Sequence, residues 1–239
     1  MTSRAIAFDL DGTLSDTEPL HFEAFKEVLR PAGIDIPREE YFSRLIGVND
    51  HDCFALLLSE HGQDASEEHV ARLIERKAGV YGAMIAERDV LYPGAAEFVR
   101  RCALRFPLIL VTGTLHAEAE TILQRADLRG LFVDLIAAED TARGKPEPDG
   151  FLTALGRLGF ILRPHPSIVA AECLAIEDTA AGIEAAHRAG MPVLALSHTT
   201  SADDLRAADL IILVSLRWVA QWIEFATIEL RPYRRNNHG

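Results

Sequence analysis

The stretch Ala5-Ile6-Ala7-Phe8-Asp9-Leu10-Asp11-Gly12-Thr13 decides how the chain is read. Four apolar residues run into an acid, the pattern of a buried strand that stops at a polar edge. Asp9 and Asp11 stand at i and i+2, so on an extended chain they point to the same side. Carboxylates that close repel each other and need a cation or a shared proton between them. A hard divalent cation with oxygen ligands, such as Mg²⁺, meets that need. Gly12 then permits a sharp turn. The plainer alternative is a strand that ends in an Asx-type turn.

Working outward, further short apolar runs read as parallel strands at 108–111, 135–138, 174–176, 193–196 and 210–213. Helical patterns follow them at 93–105, 117–126, 149–158, 179–189 and 216–228. This alternation predicts an α/β fold, a doubly wound and mainly parallel Rossmann-like sheet, with ligands beyond the carboxyl ends of the strands. About ninety residues separate the first strand from the second, far more than one crossover helix requires. They read as helices at 18–29, 38–46, 51–60 and 67–85, with apolar residues near a 3.6 period. The sequence therefore predicts a core domain from 1–16 and 90–239 and a small all-helical domain from 17–89.

Three more segments follow expected strands. In Val111-Thr112-Gly113-Thr114 a hydroxyl and free amides at a strand end suit a phosphate oxygen, although such a Thr often serves only as a turn or cap. In Gly144-Lys145-Pro146-Glu147-Pro148 a lysine between Gly and Pro can neutralise a phosphate and a carboxylate together, or sit solvated on a loop. Glu177-Asp178, ahead of Thr179-Ala180-Ala181-Gly182, can complete an oxygen cage for a metal, or Asp178 can cap the next helix.

Composition narrows the classes. Nearly half the residues are hydrophobic, a quarter are charged and the net charge is −12. That balance argues against nucleic acid as a partner and admits a small phosphorylated metabolite if its site is locally positive. Cys53, Cys102 and Cys173 form no CxxC pair and read as reduced, buried thiols. The apolar stretch 207–226 is broken by Asp209, Arg217 and Glu224, so it reads as strand plus helix. No membrane segment or signal peptide is expected, and the expected location is the cytoplasm. The basic tail 231–239 reads as a loosely held end.

In order and spacing the four segments resemble the haloacid dehalogenase superfamily of phosphotransferases across nearly the full length. Asp9 through His21 and Glu177 through Ile183 look most like its beta-phosphoglucomutase-like and sugar-phosphate phosphatase branch. The resemblance implies that 17–89 is a cap domain and that the activity is Mg²⁺-dependent hydrolysis of small phosphomonoesters. It implies Asp9 as the nucleophile, giving an aspartyl-phosphate, and Asp11 as general acid and then base. Metal ligands would be Asp9, Asp11 through its carbonyl, Glu177 and Asp178. Thr112, Lys145 and the Gly113 amide, with Thr114 beside them, would hold the phosphoryl group. His21 and Lys77 stand where mutase relatives place substrate-facing residues.

Departures rank the alternatives. Asp11 separates the chain from the dehalogenases, which lack that second acid. The mutase carries an arginine within the stretch matching Gly47-Val48-Asn49-Asp50-His51 to hold a second phosphate. Here Asp50 would repel it, with Arg44 as a compensating cation. A phosphomutase is thus the second reading. A phosphonate hydrolase would need a cap lysine for an imine, Lys77 or Lys26, and ranks lower. A catalytically silent binding protein also ranks lower, since every expected catalytic residue is present. A monomer is expected, with a dimer as the alternative.

Overall fold

The computed structural model describes residues 3–45, 50–162 and 168–212. Its chain contacts divide it into two compact units, Met1–Asp16 with Val90–Gly239 and Thr17–Asp89.

The first unit is built on six parallel strands: β1 (Ala5–Phe8), β2 (Leu108–Val111), β3 (Phe132–Ile136), β4 (Cys173–Glu177), β5 (Val193–Leu196) and β6 (Leu210–Ile212). They lie in the order β3-β2-β1-β4-β5-β6. This is the doubly wound, Rossmann-like α/β architecture, with its topological switch between β1 and β4. Ile6 pairs with Leu108 on one side and with Leu174 on the other. β1, β2, β4 and β5 are buried along their whole length, which is why they read as unbroken apolar runs. Helices Ala95–Ala103, His116–Arg125, Asp149–Ile161 and Ala180–Arg188 belong to this unit. Phe151, Ala154, Leu158, Ile183 and Ala186 pack into one cluster with Ala5, Ile109, Ala175 and Val193. Phe8 meets Phe98 and Phe132 edge-on, with ring centroids 5.5 and 6.0 Å apart.

Two elements differ from expectation. β3 begins at Phe132 rather than at 135, with a register shift opposite Leu108/Ile109. Asp134 interrupts its apolar pattern but is held by Arg157 at 3.0 Å, so the strand tolerates a charge that sequence patterning reads as a break. The helix after β4 begins at Ala180, because Thr179 and not Asp178 is its cap: the Thr179 hydroxyl accepts the Gly182 amide at 3.0 Å.

The helical unit contains α1 (Glu18–Leu29), α2 (Arg38–Glu40), α3 (Asp50–Glu60) and α4 (Glu67–Glu87). Phe25, Leu29, Tyr41, Leu45, Phe54, Leu57 and Val70 form its core. The single helix expected over 38–46 is instead α2 followed by a π-helical turn, Tyr41–Leu45. The widened turn buries both Tyr41 and Leu45 while the Tyr41 hydroxyl reaches Glu18 at 2.6 Å. Cys53, Cys102 and Cys173 are free and buried. No helix among the described residues is long and apolar enough to cross a membrane. The expected helix 216–228, the tail 231–239, residue 213 and Gly47-Val48-Asn49 lie outside the described residues.

Candidate active site

Four loops at the carboxyl edge of the sheet carry the site. Asp9 follows β1 and is held there by its amide, which donates to the Ile176 carbonyl at 3.0 Å. Glu177 closes β4 and Asp178 follows it. Asp9, Glu177 and Asp178 are all buried and offer carboxylate oxygens that lie within 4.8 Å of one another. Lys145 reaches into this group from the loop after β3. Its Nζ lies 2.5 Å from Asp9 Oδ1 and 2.6 Å from Glu177 Oε1, and it donates to the Val111 carbonyl at 3.2 Å. The Lys145–Pro146 bond is cis.

Three buried carboxylates face one ammonium, so the cluster is short of positive charge. Burial pushes the Asp9 carboxyl above its ordinary range, opposed by the Lys145 ammonium and reinforced by the Glu177 charge. Burial lifts Asp178 to about 7, with the Asp9 charge adding to the rise. Glu177 is raised by burial as well, and the two acids hold Lys145 firmly protonated against its own burial. A divalent cation relieves this imbalance. Two glycines shape the cradle. A Cβ on Gly12, whose φ is +81°, would collide with the Asp178 carboxylate, and one on Gly182 would collide with that of Glu177. An all-oxygen, acidic and buried donor set of this kind fits a hard divalent cation.

Asp11 turns its carboxylate elsewhere. Thr114 Oγ1 donates to Asp11 Oδ2, and Ser15 Oγ donates to Asp11 Oδ1 at 3.3 Å. Its carboxylate is not one of the three clustered acids, although its charge adds to the rise of the Asp9 carboxyl. Thr112 Oγ1 accepts the Thr114 amide at 3.1 Å, which folds the loop after β2 back on itself. Thr112, Gly113, Gly144 and Lys145 line a cavity of about 250 Å³.

His21 and Lys77 meet each other in the helical unit. Lys77 is buried on α4, with its Nζ 2.5 Å from Asp50 Oδ1 and donating to His21 Nδ1 at 3.1 Å. The His21 ring stacks on Tyr81 at 4.1 Å, and Lys77 lies 4.2 Å above the Phe25 ring. Burial, then the Lys77 charge, lowers His21 to about 3 and keeps it neutral. Asp50, read above as repelling a phosphate, is thus paired with a cation of its own unit. Arg44 is bound by Glu40 at 3.1 Å and by Glu60.

One contact went unread in the sequence. Thr199, in the loop after β5, donates its hydroxyl to Asp178 Oδ2, while Thr13 donates to Oδ1 at 3.2 Å. The signal was a stretch with four hydroxyl residues in five, Ser197-His198-Thr199-Thr200-Ser201, past the end of a buried strand. Alone, that run is indistinguishable from a turn.

A lysine and three acids gathered at the switch point of a Rossmann-like sheet suit phosphoryl chemistry. The chain belongs to the haloacid dehalogenase-like hydrolases, whose family model matches residues 3–190. It is 34% identical to protein CbbY of Rhodobacter capsulatus over 217 residues, covering 87% of this chain and 92% of that one. It is likewise 34% identical over 191 residues to a phosphorylated carbohydrates phosphatase of Thermotoga maritima, covering 78% and 82%. The fold matches the crystal structure of a mutant CbbY from Rhodobacter sphaeroides in complex with xylulose-(1,5)bisphosphate. The TM-score is 0.74 and the identity 28%, covering 91% of this chain and 96% of that one.

Proposed function

We propose that this protein hydrolyses small phosphomonoesters, sugar phosphates first among them, through an aspartyl-phosphate, an acyl phosphate on Asp9. The observation that carries the reading is the cluster of three buried acids, Asp9, Glu177 and Asp178, with Lys145 set against them at the sheet's switch point. Relatives named as a phosphorylated carbohydrates phosphatase and a CbbY bound to a sugar bisphosphate support the substrate class.

In the first half-reaction an Asp9 oxygen forms a bond to phosphorus as the bond to the ester oxygen breaks. Asp11 gives its proton to that departing oxygen. In the second half-reaction Asp11 takes a proton from water, whose oxygen attacks the phosphorus and frees Asp9. One group serves as acid and then base because the two halves run in opposite directions. Lys145 and the loop of Thr112 and Gly113, with Thr114 beside them, grip the transferring phosphoryl oxygens, where charge accumulates. Mg²⁺ would be held by Asp9, the Asp11 main chain, Glu177 and Asp178; when bound it supplies the positive charge this cluster lacks.

The helical unit acts as the cap that excludes water and selects substrate, with His21 and Lys77 as its candidate contacts. Its Lys77 is already matched by Asp50 and its Arg44 by Glu40 and Glu60, so neither of these cations is left over for a second phosphate. That ranks hydrolysis of a monophosphate above phosphomutase action. The test is phosphate release from a panel of sugar phosphates, phosphoglycolate, nucleoside monophosphates and an aryl phosphate, with Mg²⁺ and with chelator. Metal-dependent release that vanishes in Asp9→Asn is expected. Release that ignores chelator and survives in Asp9→Asn would refute the reading, and conversion of glucose-1-phosphate to glucose-6-phosphate faster than phosphate release would install the mutase.

A further inference from the structure

We infer that Thr199 is a positioning residue: its hydroxyl fixes the orientation of the Asp178 carboxylate for the cation. The inference deepens the metal reading above and rests on it.

Asp178 is buried, yet neither of its oxygens bonds to Lys145; the lysine is taken by Asp9 and Glu177. What holds its carboxylate is a pair of hydroxyls from opposite flanks of β4. Thr13, in the turn after β1, donates to Oδ1, and Thr199, in the loop after β5, donates to Oδ2. A carboxylate held at one oxygen still pivots about that bond. Held at both oxygens, its plane is set. Each oxygen retains a second lone pair for a metal, since a carboxylate offers about four acceptor sites. Partners outside a metal's own ligands orient those ligands in just this way, and their loss typically weakens metal affinity about 10- to 100-fold.

The loop that presents Thr199 is itself tied down on both sides. The Ser197 amide donates to the Ile212 carbonyl at 3.2 Å, anchoring the loop to the end of β6. The His198 ring stacks on Tyr92, with centroids 4.4 Å apart and planes 20° apart. Tyr92 is joined in turn to the turn after β1, because its amide donates to the Leu14 carbonyl at 2.9 Å. The same turn carries Thr13. The two hydroxyls that grip Asp178 therefore belong to one connected support, which a chance surface threonine would lack.

The experiment is calorimetric titration of Mg²⁺ into the metal-free, full-length protein, with no substrate present. Four forms are compared: wild type, Thr199→Val, Thr199→Ser and Asp178→Asn. Thr199→Val keeps the shape and removes the hydroxyl, so Mg²⁺ affinity should fall about 10- to 100-fold. Thr199→Ser restores the hydroxyl and should bind within about threefold of wild type. The Mg²⁺ concentration for half-maximal phosphate release should move with the affinity, while kcat at saturating Mg²⁺ changes little. If Thr199→Val folds poorly by thermal melting, Thr199→Ala is judged by the same criterion. Wild-type affinity in the hydroxyl-free variant, with binding lost in Asp178→Asn, would overturn this inference and leave the metal reading standing. Equal weakening in the Ser and Val variants would also overturn it, since packing and not the hydroxyl would then be at work. Wild-type affinity in Asp178→Asn would bring down the metal reading and this inference together.

Discussion

Each unit of the molecule sets a lysine against acids, and the surroundings of the two differ. Lys145 faces Asp9 and Glu177, with Asp178 beside them, so one cation stands among three buried acids. Lys77 faces Asp50 alone among acids, donates to a neutral His21 and lies over the Phe25 ring. The first group is left with excess negative charge at the edge of the sheet and calls for a further cation. The second is balanced within its own unit and calls for none. Buried charge by itself therefore does not mark chemistry; the uncompensated part of it does.

The comparison breaks first at Lys145. Lys145→Met should lower kcat by on the order of 10² to 10³, because a fixed charge aimed at the transferring group is removed. Steady-state phosphate release measures it, and a loss below tenfold would place the phosphoryl group elsewhere.

A second test uses the surplus charge directly. Folded Asp178 titrates at about 7, whereas in the unfolded chain an aspartate titrates near about 4. Between those values the folded state holds a proton that the unfolded state has released. The stability of the metal-free protein should therefore fall as pH rises through this window, by at most about 1.4 kcal/mol per pH unit for each such group. Asp9 is shifted the same way and adds to the fall. Urea unfolding at a series of pH values should show the slope, and Asp178→Asn should flatten it. A stability that rose across the same window would contradict the sign.

The smallest effects belong to the balanced pair, and they should be unequal. Asp50→Ala leaves the Lys77 ammonium buried without its carboxylate and should cost about 3 kcal/mol. Lys77→Met leaves Asp50, which is 36% exposed, free to hydrate, and fills the space with an apolar chain. It should cost about 1 kcal/mol or less. Denaturant melts of both variants settle the order, and equal costs would mean that the pair is not held as described.

Much of this was legible beforehand, for physical reasons that vary by element. β1, β2, β4 and β5 are buried on both faces, so their sequences carry no polar interruption. β3 was misplaced because Asp134 breaks its pattern and needs Arg157, 23 residues away, to be tolerated. Asp9, Glu177 and Asp178 were readable as acids at strand ends. Lys145 was readable only in combination with them, since a loop lysine is ordinarily solvated. Lys77 sits mid-helix like any solvated lysine, and its burial depends on Asp50, 27 residues away. The role of Thr199 depends on a contact with Asp178 across 21 residues, which no local pattern announces.

The central claim is the covalent step on Asp9, and rapid acid quench during turnover tests it most directly. Peptide mass spectrometry of the quenched protein should find phosphate on the segment carrying Asp9, in the presence of Mg²⁺ and a good substrate, and none in Asp9→Asn. Phosphate on a different residue, or sustained turnover in Asp9→Asn, would contradict the account.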